Sequence, residues 1–408
     1  MKKIIALLMA LVLVLGLAAC GGNAAEADTF KVGAIYINSK NDTAGYTFAH
    51  HNGITTAMKE LGLDVEKQLV IVDEVPEDKQ KVLDAVDTLV GEGADIVFGI
   101  SFGYIDALEE ASATYPDVIF SHGTGYKANE TNFNNYFGRI YQARYLAGIA
   151  AGLKSLELGN DKVGYVAAHT TDYAETASGI NGFALGVQAV NPNAIVYVKN
   201  LNNWADEVNE KAYAEELISS FGCGVISQHC DSAQPQIAAE NAGVFGCGYN
   251  SDMTPDAPKA HLTSAIWNWN VYYGTAIKAA MECEKAADFV TKMGGNAYYG
   301  GLKEGFVDVS PLSENCAANT AEIIDTVKAM MVSGEWDVFS GVKLQIDAAT
   351  GTVTKVDAAL ESNGFMYVDG NFAVPMENTV VVEAGGASVD DGVIKGSMNY
   401  LVKGVEEA

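Results

Sequence analysis

Apolar and polar positions change period repeatedly along this chain. From Phe30, "KVGAIYI" (31–37), "QLVIVDEV" (68–75), "DIVFGIS" (95–101) and "DVIFSHG" (117–123) are short apolar runs rich in β-branched residues, the pattern of strands buried on both faces. Between them, "YTFAHHNGITTAMKELG" (46–62), "DKQKVLDAVDTLVGEG" (78–93) and residues 104–113 carry apolar side chains at helical spacing, and the first of these stops at Gly62. Strands and helices alternating at this interval predict right-handed crossovers and a parallel sheet.

The pattern then restarts. "DKVGYVAAH" (161–169) reads like "FKVGAIYI", and is followed by a helix over 175–190, the strand "AIVYVKNL", a helix over 205–220, "CGVISQH" (223–229), another helix, "GVFGCGYN" (243–250) and "HLTSAIWNW" (261–269). The expected fold is α/β: two doubly wound lobes joined by a hinge, because no Pro- or Gly-rich linker separates them. The expected first lobe is 30–140 plus about 267–300, and the second is 141–266 plus about 301–340. "NTAEIIDTVKAMMVSGEW" (319–336) reads as a last helix, and residues 341–408 as a β-rich C-terminal extension packed on the lobes, with hairpins in "KLQIDAATGTVTKVD" and "GFMYVDGNFAV".

The N-terminus supplies an address. Met1-Lys2-Lys3 precedes an apolar run from Ile4 to Leu17 that is too short for a comfortable membrane span. Leu17-Ala18-Ala19-Cys20 then resembles the lipobox of bacterial lipoproteins. It implies a signal peptide over 1–19, cleavage before Cys20, acylation of its thiol, and a lipidated tether over 20–29. Two acyl chains hold a protein stably, which places the body on the outer face of the bacterial cytoplasmic membrane. An ordinary signal peptide with an incidental cysteine is the alternative. The formal charge of −27 repels phosphate backbones and excludes nucleic acid as a partner. The remaining cysteines, Cys223, Cys230, Cys247, Cys283 and Cys316, are odd in number and their spacing leaves the pairing open; the first three lie in or beside apolar runs and are expected to be buried.

Gly99-Ile100-Ser101-Phe102-Gly103 matches G-x-S-x-G, the strand–turn–helix elbow of a nucleophilic serine. A hydrolase also needs an acid and then a histidine on later strand ends. Asp106 would fall one turn into the next helix and Asp117 opens a strand at its wrong end, which leaves His122 as the base and makes the hydrolase the weaker reading. Open parallel sheets bind ligands beyond their strand carboxyl ends whether or not chemistry follows. The residues expected there are Tyr46, Thr47, Ser101, Phe102, Gly103 and Tyr104 in the first lobe, and Trp204, Asp231, Asn250 and Asp252 in the second, with Trp267 where the chain crosses back. Aromatic rings, amides and a few carboxylates suit a flat uncharged heterocycle; phosphates or amino-acid carboxylates would want Arg or Lys. Tyr46 at helical spacing with Phe48, and one of Trp267 and Trp269, also suit a purely packing role. His50 and His51 diverge by about 100° on a helix and do not share a metal; neither metal nor cofactor is expected.

"AGYTFAHHNG", "SFGYIDALEEAS", "YLAGIAAG", "GINGFALGVQAVNP", "QHCDSAQP", "GYNSDM" and "LTSAIWNW" together resemble the basic membrane protein family, substrate-binding lipoproteins of ATP-driven importers with a type I periplasmic-binding fold. The resemblance implies a non-catalytic receptor that closes about its hinge and presents both lobes to a permease and its ATPase. It implies a purine nucleoside or base as ligand, clamped between aromatic residues at the positions of Tyr46 and Trp204. Where family nucleoside binders hold the ribose with an Asp and a Lys, this chain has Asn250 and Trp267. That departure points to a smaller ligand without ribose, an adenine-like base, with Asp231 and Asn250 as partners for its ring N–H and exocyclic amine. A monomer is expected. A sensor lipoprotein with the same fold and no permease is the alternative.

Overall fold

The computed structural model describes residues 29–43, 45–368, 371–373 and 380–408; the signal and lipidation expectations, Cys20 included, fall outside them. The chain runs β1 (Val32–Tyr36), α1 (Gly45–Glu60), α2 (Val65–Gln68), β2 (Leu69–Val72), α3 (Lys79–Gly91), β3 (Ile96–Ile100), α4 (Ile105–Thr114), β4 (Ile119–Gly123), β5 (Phe133–Gly138). It continues through α5 (Ile140–Leu158), β6 (Lys162–Ala167), α6 (Ala174–Val190), β7 (Ile195–Asn200), α7 (Glu207–Ser219), β8 (Val225–His229), α8 (Gln234–Ala242), β9 (Phe245–Asn250) and β10 (His261–Trp267). Then come α9 (Trp269–Met281), α10 (Phe289–Lys292), β11 (Ala297–Gly300), β12 (Val307–Val309) and α11 (Thr320–Ser333).

Two sheets result. The first has the order β11-β5-β4-β3-β1-β2 with every pair parallel. The second has the order β12-β10-β9-β8-β6-β7-β19, where β19 is Val405–Glu407 near the C-terminus. In it β12 is antiparallel to β10, and β19 lies parallel to β7. Central strands such as β1 and β3 are buried along their whole length, which is why they read as unbroken apolar runs. The chain passes between sheets three times: from β5 to α5, from β10 to α9, and from β11 to β12.

Asp78 caps α3 through the Lys81 N–H, and Asp206 caps α7 through the Asn209 N–H, so both helices start where a short polar side chain can satisfy a free donor. The glycines of "YLAGIAAG" and "GINGFALG" have a packing cause. A Cβ on Gly148 would sit 2.1 Å from the Phe183 carbonyl oxygen, and one on Gly186 2.1 Å from that of Tyr145. Only glycine lets α5 and α6 approach backbone to backbone there.

The C-terminal region is more interwoven than its hairpin pattern suggests. β13 (Val342–Ile346) and β14 (Val353–Asp357) form an antiparallel hairpin; β15 (Leu360–Val368) pairs with β16 (Asn371–Ala373), β17 (Val380–Val382) and β18 (Tyr400–Val402). The helix over 319–336 ends at Ser333, and it is not the last: α12 (Asp391–Gly396) follows. Asp391 on α12 forms a two-point ion pair with Arg139, whose Nη1 also donates to the Tyr299 carbonyl of β11. The extension thus reaches the junction where the chain leaves the first sheet. All five cysteines from 223 to 316 are free, with Cys223, Cys230 and Cys247 buried.

Candidate ligand-binding cleft

β3 delivers Ser101 in extended backbone, with the next helical turn starting at Phe102. The Ser101 hydroxyl donates to Glu77 Oε1 at 2.5 Å, and the Gly103 N–H donates to the same oxygen at 2.7 Å. His122, at the end of β4, places Nε2 2.7 Å from the Ser101 carbonyl oxygen. A nitrogen facing a carbonyl must carry the proton, so His122 donates to the serine's backbone and does not face its hydroxyl. Burial drops its pKa to about 4 and keeps it neutral. The elbow therefore lacks the serine–histidine pair that a hydrolase of this motif requires. Tyr104 turns inward, fully buried, with its hydroxyl on the Val75 carbonyl at 2.5 Å. Phe102 goes the other way, 46% exposed, its ring 6.5 Å from Tyr173 of the second lobe.

Tyr46 and Thr47 occupy the first turn of α1, entered through Gly45 at φ 83°. A Cβ at Gly45 would lie 2.2 Å from the carbonyl oxygen of Asp231, so the two lobes touch here backbone to backbone. An aromatic series runs from this point through the crossover: Tyr46 edge-on to His50, His50 stacked on Trp269 at 3.8 Å, and Trp269 stacked on Trp267 at 4.5 Å. Trp267 Nε1 then donates to the Tyr249 hydroxyl at 3.2 Å, and the Arg144 guanidinium lies 4.0 Å above the Tyr249 ring.

In the second lobe the Asp231 N–H donates to the Trp204 carbonyl, and its carboxylate accepts from Asn250 Nδ2 at 3.3 Å. Trp204 rests among His169, Tyr173 and His229. Tyr46 and Trp204 thus both border Asp231, each with a histidine ring of its own lobe beside it. Burial, with the nearby charge of Glu210, pushes Asp231 up to about 7. Burial likewise raises Glu175, against the pull of Arg144. Asn250 sits at φ 68°, buried, and its Oδ1 has no partner. Asn250, Asp252 and Trp267 line a cavity of about 170 Å³ facing α1, whereas the Asp252 carboxylate is half exposed and caps the Thr254 N–H.

Two cleft residues escaped the sequence reading. Glu77 lies in the loop before α3 and carries no motif. Arg144 lies in the middle of α5 within "YQARYLAGIAAG", where a single cation among apolar residues reads as a solvated edge; it is 2% exposed and bonds to the Tyr165 hydroxyl and the Gln228 carbonyl. Nε and Nη2 of Arg144 remain without partners. His50 and His51 take separate tyrosines, Tyr273 and Tyr36.

Residues 30–335 match the Bmp family of PnrA-like ABC transporter substrate-binding proteins. The chain belongs to that family. It is an extracytoplasmic substrate-binding protein of an ABC transporter, working with a permease and an ATPase and not as an enzyme. A putative ABC transporter glucose-binding protein of Haloferax volcanii is 32% identical over 79% of this chain and 77% of its own length. A purine-binding protein of Brucella abortus is also 32% identical, over 79% of this chain and 86% of its own. An ABC solute-binding protein from Conexibacter woesei superposes with a TM-score of 0.60 at 20% identity, covering 76% of this chain and 98% of that one. The comK transcriptional activator from Bacillus halodurans gives 0.62 at 19%, covering 75% and 99%. Those two likenesses concern the two-lobed fold alone. Among the described residues no helix is long and apolar enough to cross a membrane.

Proposed function

We propose that this Bmp-family receptor captures a free purine base, adenine-like, in the cleft between its lobes. Tyr46 and Trp204 flank the ring, and Asp231 and Asn250 orient it. The observation that carries this reading is the part-buried Asp231–Asn250 pair with an open acceptor at Asn250 Oδ1. The Asp231 carboxyl oxygens and the free Asn250 Oδ1 offer acceptors to a ring N–H and an exocyclic amine, and the carboxyl group, near half-protonation, can also donate to a ring nitrogen. Asn250 also lines the adjoining cavity of about 170 Å³. The name of the Brucella abortus relative supports the ligand class. Stacking and desolvation would give micromolar binding, about 8 kcal/mol. Lipid attachment at Cys20 belongs to the same proposal and rests on Leu17-Ala18-Ala19-Cys20; Cys20→Ala should abolish incorporation of labelled palmitate.

A sugar is the second reading. The Haloferax volcanii relative bears a glucose-binding name, and carboxylate, amide and Arg144 together can also grip vicinal hydroxyls. Calorimetry against adenine, guanine, hypoxanthine, adenosine, guanosine and glucose separates the two. Adenine should bind tightest and glucose not at all; binding only by nucleosides, or only by glucose, overturns the proposal.

A further inference from the structure

A second cavity, of about 430 Å³, lies away from the cleft, where α6 meets the C-terminal extension. Tyr145, Leu185, Trp336 and Leu344 form much of its wall, and Lys343 of β13 lines it as well. Several of the other polar groups along it are engaged. Trp336 Nε1 donates to the Val342 carbonyl, Gln188 Nε2 to the Lys403 carbonyl, and Lys403 pairs with Glu361 at 2.9 Å. The Lys343 ammonium has neither a hydrogen bond nor an ion pair among the described residues. A charge drawn out of water without a partner is costly; burial lowers Lys343 to about 8, which leaves it mostly protonated at neutral pH.

We propose that this cavity is a second ligand site, taking a small organic monocarboxylate whose carboxylate pairs with Lys343 and whose apolar body lies against Trp336 and Tyr145. The volume lies within the range of small-molecule sites, and a largely apolar wall with a few polar groups is their usual make-up. A carboxylate supplies what the ammonium lacks. Glu361, the acidic neighbour, is already neutralised by Lys403, so it opposes a bound anion only weakly. The site shares no residue with the cleft, and its test does not depend on the purine reading.

Calorimetry on the full-length mature protein at pH 7 would use octanoate and 2-naphthoate, with octanamide as the neutral control. At least one carboxylate should bind one per chain, about tenfold or more tighter than octanamide. Lys343→Met should weaken it at least as much, Lys343→Arg should retain it, and raising the pH to about 9.5 should release it as the amine deprotonates. Saturating adenine should leave it unchanged. No saturable binding by either acid up to about 10 mM, equal affinity for octanamide, or displacement by adenine would overturn the site. The amide control and the pH series use the unaltered chain, so the outcome stands even if a variant folds poorly.

Discussion

At the end of β3, Ser101 gives its hydroxyl to Glu77 and receives His122 on its carbonyl, while Tyr104 turns its own hydroxyl onto Val75. At the ends of β8 and β9, in the other lobe, Gln228 Oε1 and Asn250 Oδ1 are buried without partners, and Asp231 is held near half-protonation. The turn after β3 therefore closes on itself while the ends of β8 and β9 stay open; the first lobe keeps its own open groups elsewhere, at His122 Nδ1, Tyr46 Oη and Thr47 Oγ1. Unpaired buried groups cost free energy that a packed strand end does not, so they persist where something else completes them. On the proposed reading the first lobe contributes ring surface through Tyr46, and the second contributes hydrogen-bond selectivity.

The sharpest way to break that contrast is to remove the second lobe's pair. Asn250→Ala should weaken adenine binding at least about 100-fold, because it leaves a part-buried carboxyl group and the base edge both short of a partner. Trp204→Ala should cost about tenfold through lost stacking. Calorimetry reads both, and an unchanged dissociation constant for Asn250→Ala would move recognition out of the second lobe.

The pH dependence of stability sharpens the same contrast. Asp231 holds its proton in the folded state up to about 7, against about 3.9 in an unfolded chain. Across that interval the folded form binds more protons, so stability falls as pH rises, by on the order of 4 kcal/mol in full. Asp231→Asn should remove this loss. The ligand-free variant should match the parent near pH 4 and exceed it by a few kcal/mol at pH 8 in thermal unfolding. A constant difference at both pH values would mean that another group titrates.

A smaller effect lies at the hinge. Arg139 and Asp391 are partly exposed, and a two-point pair of this kind contributes about 1 kcal/mol. Asp391→Asn should lower the melting midpoint by about 1–2 °C. It should shift ligand affinity only if the extension biases lobe closure.

The alternating fold was legible because strands buried on both faces leave unbroken apolar runs, as in "VGAIY", and because each crossover helix shows its own period. β5 was not, since "FNNYFG" mixes amides into a buried strand; Asn134 is matched by Tyr272, far along the chain. β19 was hidden for a similar reason: three residues, Val405 to Glu407, become a strand only through pairing with β7, about 200 positions away. Site residues on strand ends could be collected from the sequence, but their direction could not. Tyr104 and Phe102 are two positions apart, and one is buried while the other is exposed. Arg144 was missed because nothing local marks a cation whose partners, Tyr165 and Gln228, come from two later strands.

The smallest expected effect is the most pointed test of the closed turn after β3. Ser101→Ala removes one donor to Glu77, but the Gly103 N–H at 2.7 Å still holds the same carboxylate oxygen. The loss should be about 1 kcal/mol of stability. Adenine affinity should change by less than about twofold, because the hydroxyl faces Glu77 and not the base. The parent protein should hydrolyse a nitrophenyl ester no faster than buffer does. Turnover that disappears in Ser101→Ala would require His122 to leave the Ser101 carbonyl and reach its hydroxyl, and the contrast between the lobes would then have to be redrawn around chemistry in the first.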